Sequence, residues 1–423
     1  MTEAARERSV TNWAGNVVFD ARQVHRPTSI DELRRIVRVA TRIRALGTGH
    51  SFNRLADTDG DLVSVAGLPA TVTIDRERST VTVGAGVRYG ELAAHLHQHG
   101  YGLHNLASLP HISIAGACAT ATHGSGWRNG NLATAVRAID LVAADGELVT
   151  LDESDADFAA AVVGLGALGI VTALTLAIEP SFDVAQYVYE GLSRDALGRH
   201  WTPIIRSGYS VSLFTDWTGT DINQVWVKRR TDRDHPPIDA DAWAMTPADG
   251  PRHPVPGMPA DNCTGQLGVA GPWHTRLPHF RLDFTPSSGA ELQSEYLLSA
   301  NDAIGALDAV GRIRDQVAPV LQISEIRTVA ADELWLSPNY RRDSVAIHFT
   351  WIADTSAVTP VIAAVERALA PFAPRPHWGK LSDVGPNELR TRYPRWSDFA
   401  DLLVRYDPTG TFHNAFLDRY FPR

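Results

Sequence analysis

The heptad Gly47-Thr48-Gly49-His50-Ser51-Phe52-Asn53 sets a histidine in a glycine-rich loop directly after the short apolar run Ile43 to Leu46. Glycines let backbone approach a ligand with no Cβ in the way, and successive N–H groups of such a loop converge on phosphate oxygens. His50 then stands where a bound cofactor can reach its ring; a plain loop histidine is the competing reading. A Gly-x-Gly-x-x-Gly dinucleotide fingerprint fails twice, because Phe52 replaces the third glycine and the strand follows a helix instead of opening a βαβ unit. The segment Ser108 to Gly126 is rich in Ser, Ala, Gly and Thr. So long a run of small residues implies close approach to something large and flat, so a cofactor cradle is expected beside the first loop.

Three strands supply a second kind of chemistry. Strict alternation in Ile323 to Val329 puts Glu325 and Arg327 on one face, and in Ser344 to Trp351 it sets His348 and Thr350 opposite Val345, Ile347, Phe349 and Trp351. In Glu291 to Leu298, Gln293 and Glu295 point together. These faces either meet solvent or, as a matched set of donors and acceptors, meet a ligand made of hydroxyls. Lysine use singles out one more residue. Of 39 basic residues only Lys228 and Lys380 are lysines, and lysine, unlike arginine, can give up its proton in a pocket. Lys380, in His377-Trp378-Gly379-Lys380, is therefore a candidate for proton transfer or a compact ammonium contact. Lys228 opens the run Lys228 to Arg233, which reads as a solvated strand end.

Other chemistries lose their anchors. His95 and His99 share a helical face without a third metal ligand, and no Gly-x-Ser-x-Gly elbow, Walker loop or His-Glu-x-x-His occurs.

The elements that must position these residues are legible in outline. Ser29 to Glu32 forms a capping box before a helix leading into Ile43 to Leu46. Thr71 to Ile74 and Thr80 to Val83 alternate as strands, Glu91 to His99 reads as a helix closed by Gly100, and Ala135 to Ala143 with Leu148 to Leu151 reads as a hairpin. Val184 to Glu190, Ser210 to Asp216 and Gln224 to Arg229 suggest a second sheet. A Pro- and Gly-rich passage, Pro236 to Pro278, should pack along a surface or over a cleft. Asn301 to Val317 is expected as one helix, and Thr359-Pro360 as the start of another.

Composition bounds the rest. A chain of 423 residues, 44% hydrophobic, exceeds the ~250 to 300 residues at which single cores stop growing. Its formal charge of −9 argues against nucleic acid or an anionic membrane as partner. Met1 to Val10 lacks an apolar leader core and no stretch approaches ~18 apolar residues, so a cytoplasmic protein is expected. Two cysteines, Cys118 and Cys263, are too few for a disulfide framework or a thiolate metal site, and no metal is expected.

The heptad, Ser108-Leu109-Pro110-His111-Ile112-Ser113-Ile114-Ala115-Gly116, Thr120-Ala121-Thr122-His123-Gly124-Ser125-Gly126, the pair Glu325 and Arg327, and His377 to Lys380 together resemble the alditol (xylitol) oxidases. These belong to the vanillyl-alcohol oxidase and sugar-lactone oxidase flavoproteins, and the resemblance runs from Thr11 to Phe416. It implies an α+β fold: a two-subdomain FAD-binding domain over 1–180, a substrate domain with a mainly antiparallel sheet over 181–372, and a C-terminal return over 373–423. It implies FAD joined covalently to His50, with Leu46, Gly47, Thr48, Gly49 and Ser51 around the pyrophosphate. Ser113, Gly116, Thr120, Ala121, Thr122, His123, Val171 and His377 would line the remainder. Ser108 would touch cofactor and substrate; Glu325, Arg327, Thr350 and Lys380 would bind substrate, with Gln293 and His348 at its far end.

The implied activity is oxidation of the terminal alcohol of xylitol or sorbitol by O2, releasing H2O2. Arg327 would supply permanent charge, and Lys380 or Glu325 the base. A monomer is implied. A sugar-lactone oxidase or dehydrogenase on the same fold, and a non-catalytic polyol-binding protein, are the alternatives.

Overall fold

The alternating strands of the second half assemble into one large antiparallel sheet. In the computed structural model, which describes residues 10–285 and 290–423, its long strands lie in the order Asp183–Leu192, Ile222–Arg230, Ser210–Thr215, Leu321–Val329, Ser344–Trp351 and Leu292–Ser299. One face carries Leu213, Val225, Ile326, Ile347, Phe349 and Trp351. It packs against Leu197, Ile204, Leu307, Val310, Val358 and Val365 of the helices Arg194–Arg206, Ala303–Gly311 and Thr355–Leu369. Each buried aliphatic or aromatic side chain there is worth about 1.5–3 kcal/mol, which fixes which face is which. Slipping any strand by one residue would turn its polar set into that core. The register places Gln293 opposite Thr350, and both Glu295 and Glu325 opposite His348.

The first part of the chain builds the opposing wall. Helix Ile30–Val39, capped by the Ser29 hydroxyl, leads into strand Ile43–Leu46 of a small parallel sheet, and the glycine heptad follows at once. A five-stranded antiparallel sheet holds the hairpin Val136–Val142 and Leu148–Asp152 against Ile170–Ala177. Helix Tyr89–Gln98 ends at Gly100, whose φ of +83° suits glycine. Within the small-residue segment lies the short helix Ile114–Ala119. Burial there pushes the Cys118 thiol up to about 12, leaving a structural thiol.

The end of the chain closes the gap between the walls. Arg375–Pro376 pairs with the edge strand at Tyr296 and Leu297, and His377 N–H and Leu381 N–H donate to the carbonyls of Glu295 and Gln293 at 3.0 and 2.9 Å. Beyond them, Leu389, Trp396, Phe399 and Leu417 join the apolar cluster that contains Val83, Ile139 and Leu174.

Three sequence expectations need correction. Lys228 is no solvated strand end: its side chain is 1% exposed, because the Pro-rich passage folds over it and supplies carbonyl acceptors. The 301–317 helix is broken, with Ala303–Gly311 and Arg314–Val317 separated at Arg312 and Ile313. The next helix begins at Thr355, capped by Asp354 accepting from Ser356 and Ala357, so Pro360 lies inside it. The charged start of the chain, residues 1–9, lies outside the described residues. Among the described residues no helix is long and apolar enough to cross a membrane.

Candidate active site

Between the two walls runs a cavity with about 1760 Å³ not filled by protein atoms, part of it open to solvent. The glycine heptad and the small-residue segment form one side; the polar face of the large sheet forms the other.

The first wall is made from backbone and short side chains. Gly47 lies so close to Ser113 that a Cβ would meet the serine Oγ at 2.4 Å, and Gly49 adopts φ +71°. Thr48 Oγ1 binds both segments, accepting from the Ser113 N–H at 3.2 Å and pairing with His50 Nδ1 at 3.0 Å. The His50 ring stacks on Trp13 with centroids 5.3 Å apart. Its Nε2 is buried without a hydrogen-bond partner. Burial, with His111 nearby, brings its pKa down to about 4, so the imidazole is neutral and one nitrogen is free. Asn53 ends the heptad by donating to the carbonyls of Trp378 and Lys380 at 2.8 and 2.9 Å. The loop that carries His50 is therefore stitched to the loop that carries Lys380.

The second wall is ionic. Glu295 is its hub, accepting from Arg327 Nη2 at 2.5 Å and from Lys380 Nζ at 2.7 Å, with His123 Nε2 at 3.3 Å. Lys380 Nζ also reaches His348 Nδ1 at 2.8 Å, and His348 Nε2 reaches Thr350 Oγ1 at 3.0 Å. Arg327 Nη1 donates to Ser108 Oγ at 3.3 Å, and its Nε stands 3.6 Å from Glu325 Oε2. Glu325 Oε1 is 2.7 Å from His279 Nε2.

These partners set protonation. Burial alone would raise the Glu295 carboxyl, but Lys380, Arg327 and His123 hold it well below the usual carboxylate range. Glu325 behaves likewise through Arg327 and His279. Burial lowers Lys380, Glu295 opposes, and Arg327 lowers it further, a like-charge repulsion secondary to desolvation. His348 is held well below its ordinary value by burial and then by Lys380, and stays neutral.

The cavity brings together nearly all the residues singled out from the sequence: Leu46, Gly47, Thr48, Gly49, His50, Ser51, Ser108, Ser113, Gly116, Thr120, Thr122, His123, Val171 and His377 on the cradle side, and Gln293, Glu325, Arg327, His348, Thr350 and Lys380 on the sheet side. Ala121 is the exception. Its left-handed backbone, φ +54°, follows the short helix and turns the methyl into the apolar core. Three contributors had no assigned role. Glu295 was placed on the face of Gln293 by alternation, but not as the hub that pairs Arg327 with Lys380. Asn53 lay in the heptad without an assigned role. His279 came from the irregular passage, where no periodicity could point to it.

The residues fit FAD, because the neutral, unpaired imidazole of His50 faces a cradle of small side chains. An FAD binding domain model matches residues 21–152, and a D-arabinono-1,4-lactone oxidase model matches residues 292–420. The chain is 55% identical to the alditol oxidase of Streptomyces sp. (strain IKD472 / FERM P-14339) over 97% of this chain and 98% of that one. It is 31% identical to L-gulono-1,4-lactone dehydrogenase of Mycobacterium tuberculosis (strain ATCC 25618 / H37Rv), again over 97% and 98%. Cholesterol oxidase from B. sterolicum superposes with a TM-score of 0.80 at 15% identity, covering 98% of this chain and 96% of that one, a likeness of fold. The expected α+β class, an FAD-binding domain joined to a mainly antiparallel sheet, is borne out.

Proposed function

The chain belongs to the alditol oxidase family of FAD-binding oxidoreductases, and we propose that it oxidises the terminal primary alcohol of alditols such as xylitol and sorbitol to the aldose, with FAD tethered through His50. The single observation that carries this is the convergence of Glu325, Arg327, His348, Thr350 and Lys380 on a cavity whose facing wall holds His50. Bound FAD would supply the hydride acceptor, its N5, and pass the electrons to O2 with release of H2O2.

The chain's own residues would divide the remaining work. Gly47 to Gly49 and Ser51, with Ser113 and Gly116, hold the cofactor through backbone and small groups. Arg327 and Ser108 anchor the reacting hydroxyl, and Gln293, Thr350 and His348 bind hydroxyls further along. Of the two base candidates, Glu325 is held so firmly ionised that it makes a weak base. Burial and Arg327 lower Lys380 while its ion pair with Glu295 opposes them; its neutral form takes the hydroxyl proton at Nζ, and Glu325 accepts a substrate hydrogen bond. The enzyme acts as a cytoplasmic monomer on a small polyol and O2, with no nucleic-acid partner.

A peroxide assay across alditols, aldonolactones and hydroxy acids tests the reading. Peroxide from xylitol or sorbitol is expected, and preferential turnover of aldonolactones would replace it with the lactone oxidase alternative. Protein denatured in acid should stay yellow, and His50→Ala should release its colour to the supernatant. Colour lost from the unaltered protein would sink the covalent bond.

A further inference from the structure

Glu325 does not stand alone behind the cavity wall. Its Oε1 meets His279 Nε2 at 2.7 Å, and His279 Nδ1 meets Lys228 Nζ at 3.0 Å. Lys228 projects from strand Ile222–Arg230 with its side chain 1% exposed. Its Nζ has three neighbours, His279 Nδ1 and the carbonyl oxygens of Leu277 and Pro278, the latter at 3.2 Å. An ammonium has three N–H donors and no acceptor. Three acceptors surround it, so each N–H has one partner.

That count decides the imidazole. A nitrogen that accepts from Lys228 carries a lone pair, so the proton of neutral His279 must sit on Nε2, where it donates to Glu325. Phe214 and Trp226 pack against the ring in T-shaped contacts, with centroids 5.5 and 5.3 Å away. Burial, and next Lys228, bring His279 down to about 4, so it remains neutral in the working range.

We propose that Lys228 and His279 are positioning residues: the Lys228 ammonium locks His279 as its Nε2–H tautomer, and that N–H holds Glu325 as the acceptor for a polyol hydroxyl. The proposal rests on Glu325 as a substrate contact. Its consequence is a pH dependence. Burial lowers Lys228 to about 7, with Glu325 and Cys263 opposing and Arg327 adding to the fall. The charged and titratable groups facing the pair are Glu325, Arg327, Cys263 and, beyond Glu325, His348. Above that pH the amine has two N–H groups for three acceptors, and its lone pair favours a proton on Nδ1. The ionised Glu325 still draws the proton to Nε2, so the ring becomes a mixture of tautomers; in the Nδ1–H fraction Glu325 loses its N–H partner, and polyol binding weakens as pH rises through about 7.

Two substitution sets and one spectroscopic measurement test this on the flavin-loaded enzyme. Lys228→Met should lower kcat/KM for xylitol at least about tenfold, the usual scale for a lost charged hydrogen bond. Most of the loss should appear in KM, and the alkaline rise in KM near pH 7 should vanish. His279→Gln, which keeps an N–H toward Glu325, should recover most of what His279→Leu loses. Nitrogen-15 spectra of histidine-labelled enzyme, with the His279 signals identified by their absence in His279→Gln, should show a neutral Nε2–H ring that becomes a mixture in Lys228→Met. An Nδ1–H ring in the unaltered enzyme overturns the proposal whatever the substrate proves to be. So do Gln and Leu variants that lose activity equally and in step with their melting temperatures. If Lys228→Met fails to fold, the His279 pair and the unaltered enzyme's spectrum decide alone.

Discussion

The two walls of the cavity are specified by opposite means. The cradle side works through what its residues lack: Gly47 has no Cβ where Ser113 Oγ would be 2.4 Å away, and His50 is uncharged with a free nitrogen. The sheet side works through what its residues carry, two buried carboxylates neutralised by Arg327 and Lys380. Volume should therefore govern the effect of substitutions on one wall and charge balance on the other. The largest test falls on the hub. Glu295→Leu leaves Arg327 and Lys380 buried without their shared partner, a loss of about 3–5 kcal/mol for a broken buried ion pair. Denaturant unfolding should show it, together with loss of activity. A stable variant would mean that the sheet wall does not depend on charge balance.

Lys380→Arg separates charge from proton transfer on that same wall. The guanidinium keeps the positive charge beside Glu295 but cannot deprotonate. Steady-state turnover should fall about 100-fold or more, the lower range for loss of a general base, with flavin content and melting temperature little changed. Near-native turnover would show that Lys380 contributes charge alone.

The difference between the walls also explains what the sequence could reveal. Period-two alternation put Glu325, Arg327, His348 and Thr350 on the face that lines the cavity, because a face buried against helices at Ile326, Ile347 and Phe349 leaves no other register. The glycine heptad was visible because close backbone approach demands particular residue types. His279 and Lys228 were hidden for a physical reason. His279 sits in an irregular passage with no period, and Lys228 is buried by chain about 50 residues distant, a contact that local pattern cannot encode. The scarcity of lysine, which singled out Lys380, applied equally to Lys228. Pro360 misled because proline favours the first turn, while Asp354 held the stronger capping signal five residues before Thr359.

On the cradle side, Gly47→Ala should act through volume. Its Cβ forces Ser113 to move, a strain of about 1–3 kcal/mol for overpacking, and should appear first as incomplete flavin loading in the visible spectrum. Removing the clashing oxygen with Ser113→Ala should restore part of the loading. Such coupling belongs to residues in contact, and additive losses would break the volume argument.

The smallest effect is a slope. Glu325 has a folded pKa below its unfolded value near ~4.3, because Arg327 and His279 outweigh its burial. A carboxylate of that kind contributes stability that is fully present above the unfolded pKa and is lost as pH falls toward the folded one, since the unfolded chain takes up the proton first. One such group contributes at most about 1.4 kcal/mol per pH unit to the acid limb. Urea unfolding between pH 5 and 3 should therefore show a steeper loss of stability for the unaltered enzyme than for Glu325→Gln, whose baseline is lower but flatter. Ser113→Ala, on the uncharged wall, should leave the slope unchanged. Equal slopes for all three proteins would mean that the charges of the sheet wall are not what holds it together in acid, and the contrast between the walls would reduce to packing.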